Sequence, residues 1–250
     1  MVNFILAGVQ KSGTTLLANL LNQHSKVLIP PEKELHFFDD ESIPWGNKEL
    51  VASKYLEQFK TSTNNNILLG DATPIYCYWH PSMRRIWNYN PNIRIVLCLR
   101  NPVERAFSHW TMENNRGWDS LTFREAIKQE DSRCREALPL QHRVYSYVSR
   151  GFYSEQLRRL WHFFPKSQTL ILRHDDLADD CLAVLKNIHR FLDLDHEPPR
   201  THSVNSNRGS YASSMDSDVR SQLQAIFNPE ISQLEQMLGW DLSSWRSDVD

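Results

Sequence analysis

What this 250-residue chain lacks narrows its function before any motif is read. Lys and Arg number 28 against 30 Asp and Glu. There is thus no global basic field, which argues against a nucleic-acid scaffold and makes any charge argument local. The four cysteines (Cys77, Cys98, Cys134, Cys181) are far apart and form no Cys-x-x-Cys pair, against a disulfide framework or a zinc site. No His or Asp cluster has metal-ligand spacing, so no metal is expected. No apolar stretch approaches the length of a membrane span, and residue 2 already adjoins the first strand. With no signal peptide or anchor in view, a soluble cytoplasmic protein is the expectation. Neither an internal repeat nor a linker interrupts the chain, and one domain over residues 1–250 is expected.

What is present is an alternation of short apolar strands with amphipathic helices. Strands are expected at Phe4–Gly8, Ile67–Asp71, Ile93–Leu99 and Thr169–Arg173. Helices are expected from Leu16, and over Lys48–Lys60, Pro81–Asn88, Pro102–Asn115, Thr122–Cys134, Tyr145–Phe163, Leu177–Leu192 and Asp216–Leu238. Asn101 is the N-cap of the fourth of these, with Pro102 in its first turn, and Thr122 with Glu125 forms a capping box. His24–Pro31 reads as an irregular link, and Asp195–Ser214 as a loop too long to be idle. Continuous apolar strands separated by helices indicate an α/β protein with a parallel sheet covered on both faces. Ligands of such sheets sit at the carboxyl ends of the strands. Three strands here end in Lys11-Ser12-Gly13, Asp71-Ala72-Thr73 and Arg100-Asn101-Pro102.

The first of these ends matters most. Phe4–Gly8 runs through Val9-Gln10-Lys11-Ser12-Gly13-Thr14-Thr15 into a helix. A strand, a glycine-bearing turn and a helix start make an anion site, because free N–H groups and the positive helix end converge there. The Walker order Gly-Lys-Ser/Thr is absent, since Lys11 precedes Gly13 by two residues. The order Gly8-x-x-Lys11-Ser12-Gly13-Thr14-Thr15 instead resembles the phosphosulfate loop of sulfotransferases, which holds 3′-phosphoadenosine 5′-phosphosulfate (PAPS). The run Ile95–Ser108 resembles the same family's 3′-phosphate motif, with a strand-end arginine (Arg100) and a helix serine (Ser108). A guanidinium fork and a hydroxyl suit a phosphate. Arg208-Gly209-Ser210 resembles the basic loop that closes over PAPS, and Leu238–Trp245 the family's C-terminal ending. The resemblance covers nearly the whole chain, nearest the heparan-sulfate-type and bacterial branch, and implies a P-loop-like sulfotransferase fold.

Lys33-Glu34-Leu35-His36-Phe37-Phe38 carries that branch assignment. The resemblance implies Glu34 as the base toward an acceptor hydroxyl, with His36 as the rival, and Lys11 stabilising charge on the leaving phosphate. The nucleotide would be held by Lys11, Ser12, Gly13, Thr14, Thr15, Arg100, Ser108, Arg208, Gly209 and Ser210. A Phe37–Phe38 wall would raise the Glu34 pKa by desolvation. Phe37, Phe38, Trp45, Tyr76, Tyr78 and Trp79 would line the acceptor pocket, while Arg105 is expected to face solvent or pair with neighbours of Glu104. Ala72 stands where the sugar-modifying enzymes carry a lysine, which favours a small hydroxylated metabolite, a neutral glycan or a lipid as acceptor. Two other readings are a P-loop kinase, with Asp71 holding magnesium, and a non-catalytic nucleotide-binding protein.

Overall fold

A computed structural model describes residues 1–59, 66–200 and 214–246. The chain clusters into two compact units, one of Met1–Leu99 with Arg159–Asn207 and one of Arg100–Arg158 with Arg208–Asp250.

The first unit holds the sheet. Its strands are β1 (Phe4–Gly8), β2 (Val27–Leu28), β3 (Leu68–Asp71), β4 (Arg94–Leu99) and β5 (Thr169–Arg173), in the order β2-β3-β1-β4-β5. Every pairing is parallel, with Ile5 opposite both Asp71 and Ile95, and Leu99 opposite Arg173. Its helices are α1 (Thr14–Leu21), α2 (Lys48–Glu57), α3 (Ser82–Tyr89), α8 (His174–Asp179) and α9 (Cys181–Phe191). The second unit holds α4 (Pro102–Asn115), α5 (Phe123–Lys128), α6 (Glu130–Arg135) and α10 (Ser217–Leu238). Helix α7 (Tyr153–Phe163) has residues in both.

The sheet is buried from both sides, as its strand sequences require. Phe4, Leu6, Val96, Cys98 and Leu172 share one apolar cluster with Leu17 and Leu21 of α1 and Leu185 and Ile188 of α9. Side chains alternate across a strand, so Ile5, Ala7, Ile95 and Leu97 face the other way, and they are equally buried. The spatial order reverses at β1, which makes its carboxyl end the crevice position of a doubly wound sheet.

The strand readings hold, with one addition. Val27–Leu28, inside the expected link, pairs with Leu68–Leu69 as the sheet's edge; two residues are too few to carry a periodicity. Three expected helices change. Residues 145–148 do not join α7, because the Glu130 carboxylate accepts from the N–H groups of Val148 (2.6 Å) and Ser149 (2.8 Å). A 3₁₀ turn at Ser149–Gly151 follows, where a Cβ on Gly151 would lie 2.5 Å from the Phe227 ring. The expected Thr122–Cys134 helix divides into α5 and α6, its capping box intact. The helix expected over Leu177–Leu192 breaks at Asp180, whose carboxylate caps α9 by accepting from Leu182 and Ala183 N–H.

In the second unit, Asn101 caps α4 by accepting from Val103 N–H at 3.0 Å, as expected. Arg105 does not face solvent. It is fully buried and donates to the Tyr147 carbonyl. Glu230 of α10 accepts from Ser154 N–H (2.6 Å) and Oγ (2.8 Å), satisfying the first turn of α7 from a distant part of the chain.

Gly70 is packed directly under the Phe4 ring, where a Cβ would fall 2.2 Å from it. Gly70→Ala is expected to destabilise the protein by about 1–3 kcal/mol through overpacking. Adding Phe4→Leu should recover part of the loss. The midpoint of urea unfolding measures both, and an unchanged midpoint for Gly70→Ala would contradict this packing.

Candidate functional site

The turn after β1 is shaped by its backbone. Lys11 has φ 75° and Gly13 φ 83°, both in the left-handed region. At Gly13 that region costs nothing, but a Cβ there would also lie 2.8 Å from Leu177. Gly13 is the N-cap of α1 and provides no side-chain cap, so no side chain at that position claims the first-turn N–H groups. The Ser12 side chain points inward and is fully buried, its Oγ donating to the Val9 carbonyl at 2.6 Å. Ser12 therefore offers a ligand its backbone only. Thr14 is buried and Thr15 exposed.

The second element of the site is the irregular segment Lys33–Asp39, which lies in the same unit. Lys33 Nζ donates to Thr15 Oγ1 at 2.8 Å and lies 3.4 Å from Glu34 Oε1. One lysine thus joins the turn at the helix start to the glutamate. His36 lies between two carboxylates: Nε2 is 3.5 Å from Glu34 Oε2 and Nδ1 is 2.9 Å from Asp39 Oδ2. Glu34 (φ 68°) and His36 (φ 50°) also occupy the left-handed region, which non-glycine residues hold only where surrounding contacts impose it. Those contacts include Tyr76, whose hydroxyl accepts from the N–H of Phe37 (3.0 Å). That hydroxyl in turn donates to Asp71.

Electrostatics follow from this arrangement. The hydrogen bonds to Asp39 and Glu34 raise the His36 pKa to about 9, overcoming the opposing effect of burial. Burial alone would raise the Glu34 carboxyl. The His36 hydrogen bond and the Lys33 charge outweigh it and hold the group below its ordinary 4.5. The expected upward shift is corrected by this result. Phe37 and Phe38 do not form a wall beside Glu34 but turn into the core, where Phe37 stacks on Tyr55 at 4.8 Å. Tyr76 and Trp79 are likewise buried core residues, so four of the six aromatics expected to line an acceptor pocket are core packing, while Trp45 and Tyr78 are half-buried. Asp39, fully buried against His36, and Lys33 are the two site residues the sequence reading passed over. Asp39 lies at i+3 from His36, a spacing that could have flagged it.

The other candidate residues lie in the second unit or outside the described residues. Arg100 follows β4 directly in sequence, and its carbonyl accepts from Tyr153 Oη at 2.9 Å. Ser108 is buried on α4. Arg208, Gly209 and Ser210 lie outside the described residues. Asp71 is fully buried and accepts from Thr73 Oγ1 (2.7 Å), Tyr55 Oη (2.8 Å) and Tyr76 Oη (3.0 Å). Its oxygens are taken up by hydroxyls, which removes the magnesium role that a kinase would need from it. Among the described residues no group of three His, Cys, Asp or Glu could hold a metal, and no helix is long and apolar enough to cross a membrane.

Comparison with known proteins places the chain in a family. The sulfotransferase domain family matches residues 2–222. The crystal structure of a sulfotransferase from Alicyclobacillus acidocaldarius superposes with a TM-score of 0.84 at 28% identity, covering 99% of both chains. Heparan sulfate glucosamine 3-O-sulfotransferase 5 of Mus musculus is 27% identical over 83% of this chain and 58% of its own. The membrane-associated sulfotransferase kil1 of Dictyostelium discoideum is 24% identical over 78% of this chain and 56% of its own. The chain therefore spans a little over half the length of these two relatives.

The His36 pairing has a measurable consequence for stability. Its folded pKa lies above the unfolded value near 6.5, so its contribution is complete below about pH 6.5 and disappears as pH rises through about 9. Thermal unfolding of wild type and His36→Gln between about pH 6 and pH 10 should show the wild-type advantage shrinking over that window. A constant difference across it would contradict the paired imidazolium.

Proposed function

The chain belongs to the sulfotransferase domain family, and from that premise we propose that it moves the sulfuryl group of PAPS to a hydroxyl of a small-molecule or carbohydrate acceptor. The observation that carries this reading is the Lys33 bridge. It puts an ionised carboxylate, Glu34, and an anion-binding turn, Lys11–Thr15, within reach of one side chain.

In this reading the first-turn N–H groups of α1, with Lys11 and Thr15, hold the 5′-phosphosulfate. Arg100 and Ser108, with Arg208, Gly209 and Ser210, hold the 3′-phosphate. The acceptor oxygen attacks sulfur, the bond from sulfur to the bridging phosphate oxygen breaks, and Glu34 takes the hydroxyl proton. Lys11 balances the charge that develops on the departing phosphate. His36 is protonated at neutral pH, so it holds and orients Glu34 rather than serving as the base.

The acceptor class rests on less. The Mus musculus relative is named for a glucosamine of heparan sulfate. Here Ala72 is packed in the apolar cluster of the sheet and offers no charge to a polyanion. A small hydroxylated molecule or a neutral glycan fits that position better.

Calorimetry with 3′,5′-bisphosphoadenosine against AMP and ADP tests the donor. The 3′-phosphate should tighten binding at least about tenfold, the equivalent of roughly 1.4 kcal/mol. Equal affinities would sink the PAPS reading. Glu34→Gln should lower turnover by about 10²–10⁴-fold, the range expected for a proton-transfer residue, while bisphosphoadenosine affinity stays within about twofold. Turnover at the wild-type level would remove Glu34 from its role.

A further inference from the structure

Between α2 and α3 in the first unit lies a cavity of about 580 Å3. None of the residues assigned above to the nucleotide or to proton transfer lines it, and its size is that of a small-molecule site. Trp45 forms one wall, with Tyr89 of α3 and Val51 of α2 adding further apolar surface. The Trp45 wall is rigid. The Arg85 guanidinium covers part of the indole at 4.4 Å from the ring centroid, and Trp45 Nε1 donates to the Asp40 carbonyl at 3.0 Å. Phe37 meets the same indole edge-on at 5.6 Å, and Phe38 stacks on it at 5.9 Å, so the cavity meets only the remaining indole surface.

The charges lining the cavity are not balanced. Arg85 is neutralised by Glu41, to which its Nη1 donates at 3.0 Å, and it also holds the Phe38 carbonyl at 2.9 Å. Lys48 and Arg84 are both exposed, and among the described residues neither forms an ion pair with a carboxylate. Among the described residues Glu49 is the only carboxylate in the lining, so two cations stand against one anion there. The parts of Trp45 and Tyr89 that line the cavity give an apolar body something to pack against, while one unit of excess positive charge in the lining suits one anionic group.

We propose that this cavity is a binding site for a small monoanion with an apolar body, the body against Trp45 and Tyr89 and its carboxylate, phosphate or sulfate at Lys48 and Arg84. The site is defined without the sulfotransfer reaction, so it stands or falls independently of the donor and acceptor readings. Its location also differs from that of the turn that would hold a nucleotide phosphate.

The test uses 2-naphthoate and its neutral counterpart 2-naphthylmethanol, titrated into the whole chain by calorimetry. The acid should bind at least about tenfold tighter than the alcohol, and its advantage should fall between about 50 mM and 500 mM salt. Lys48→Ala and Arg84→Ala, at exposed positions where folding is not at risk, should each weaken the acid by about fivefold or more and leave the alcohol unchanged. Glu49→Gln should tighten the acid, because it removes the one repulsive charge. Trp45→Phe should retain binding better than Trp45→Ala. Saturating 3′,5′-bisphosphoadenosine should not displace the acid. Equal binding of acid and alcohol, wild-type affinity in both cation variants, or full displacement by the nucleotide would each overturn the proposal.

Discussion

One buried carboxylate sets the position of the candidate site. Asp71 ends β3 with no exposed surface, and three hydroxyls, from Thr73, Tyr55 and Tyr76, satisfy it in place of a cation. Burial pushes its pKa up, and the three hydroxyl bonds push it down without fully compensating. The cost of placing a carboxylate there is offset by what it fixes. With its proton directed at Asp71, the Tyr76 oxygen is left as an acceptor for the backbone of Phe37. The strand end thereby holds a segment that has no helix or strand of its own. Glu34 and His36 can then occupy left-handed backbone conformations that an unsupported loop would relax.

The rest of the first unit is arranged to make such a strand end possible. A five-stranded parallel sheet leaves its edges and ends to be satisfied by loops, and β1, at the reversal of strand order, has the ends of β3 and β4 on either side. The turn that follows β1 gives its glycine to the helix start and turns Ser12 inward, so at these two positions it presents backbone rather than side-chain groups. Lys33 then couples that turn to Glu34. The phosphate-binding and proton-accepting parts of the proposed reaction are thus joined by a single flexible cation, which links their geometries.

The strands were legible in the sequence because continuous runs such as Ile95–Leu99 have few alternatives in a protein of this size. The cap at Asn101 and the capping box at Thr122 were legible because they act locally, within one turn. Where the reading failed, apart from the local cap at Asp180 that breaks one expected helix, the deciding contact came from far away in sequence. Glu130 takes the amides of Val148 and Ser149, and Phe227 crowds Gly151, so residues 145–148 cannot extend α7. The aromatic run at Phe37–Phe38 could equally have lined a pocket or a core, and only the packing against Tyr55 decides for the core. Arg105 shows the same limit: a charged helix residue next to Glu104 gives no sign that Tyr147's carbonyl awaits it.

The electrostatics of Glu34 bear on how a proton would leave the acceptor. Lys33 and the His36 imidazolium keep the carboxylate ionised, but the same charges make it a weaker base than an isolated glutamate. A weak base cannot draw the proton from an unactivated alcohol before the reaction begins. It can accept that proton once bond formation to sulfur has made the hydroxyl acidic, as a loose transition state of the phosphoryl-transfer kind would allow. In the proposed reaction the gain therefore lies in position and permanent ionisation rather than in basicity. Asp39 completes the logic. By holding Nδ1 of His36 it keeps the imidazole charged and oriented, so in the proposed reaction the cation that weakens Glu34 as a base is also what would orient it toward the attacking oxygen.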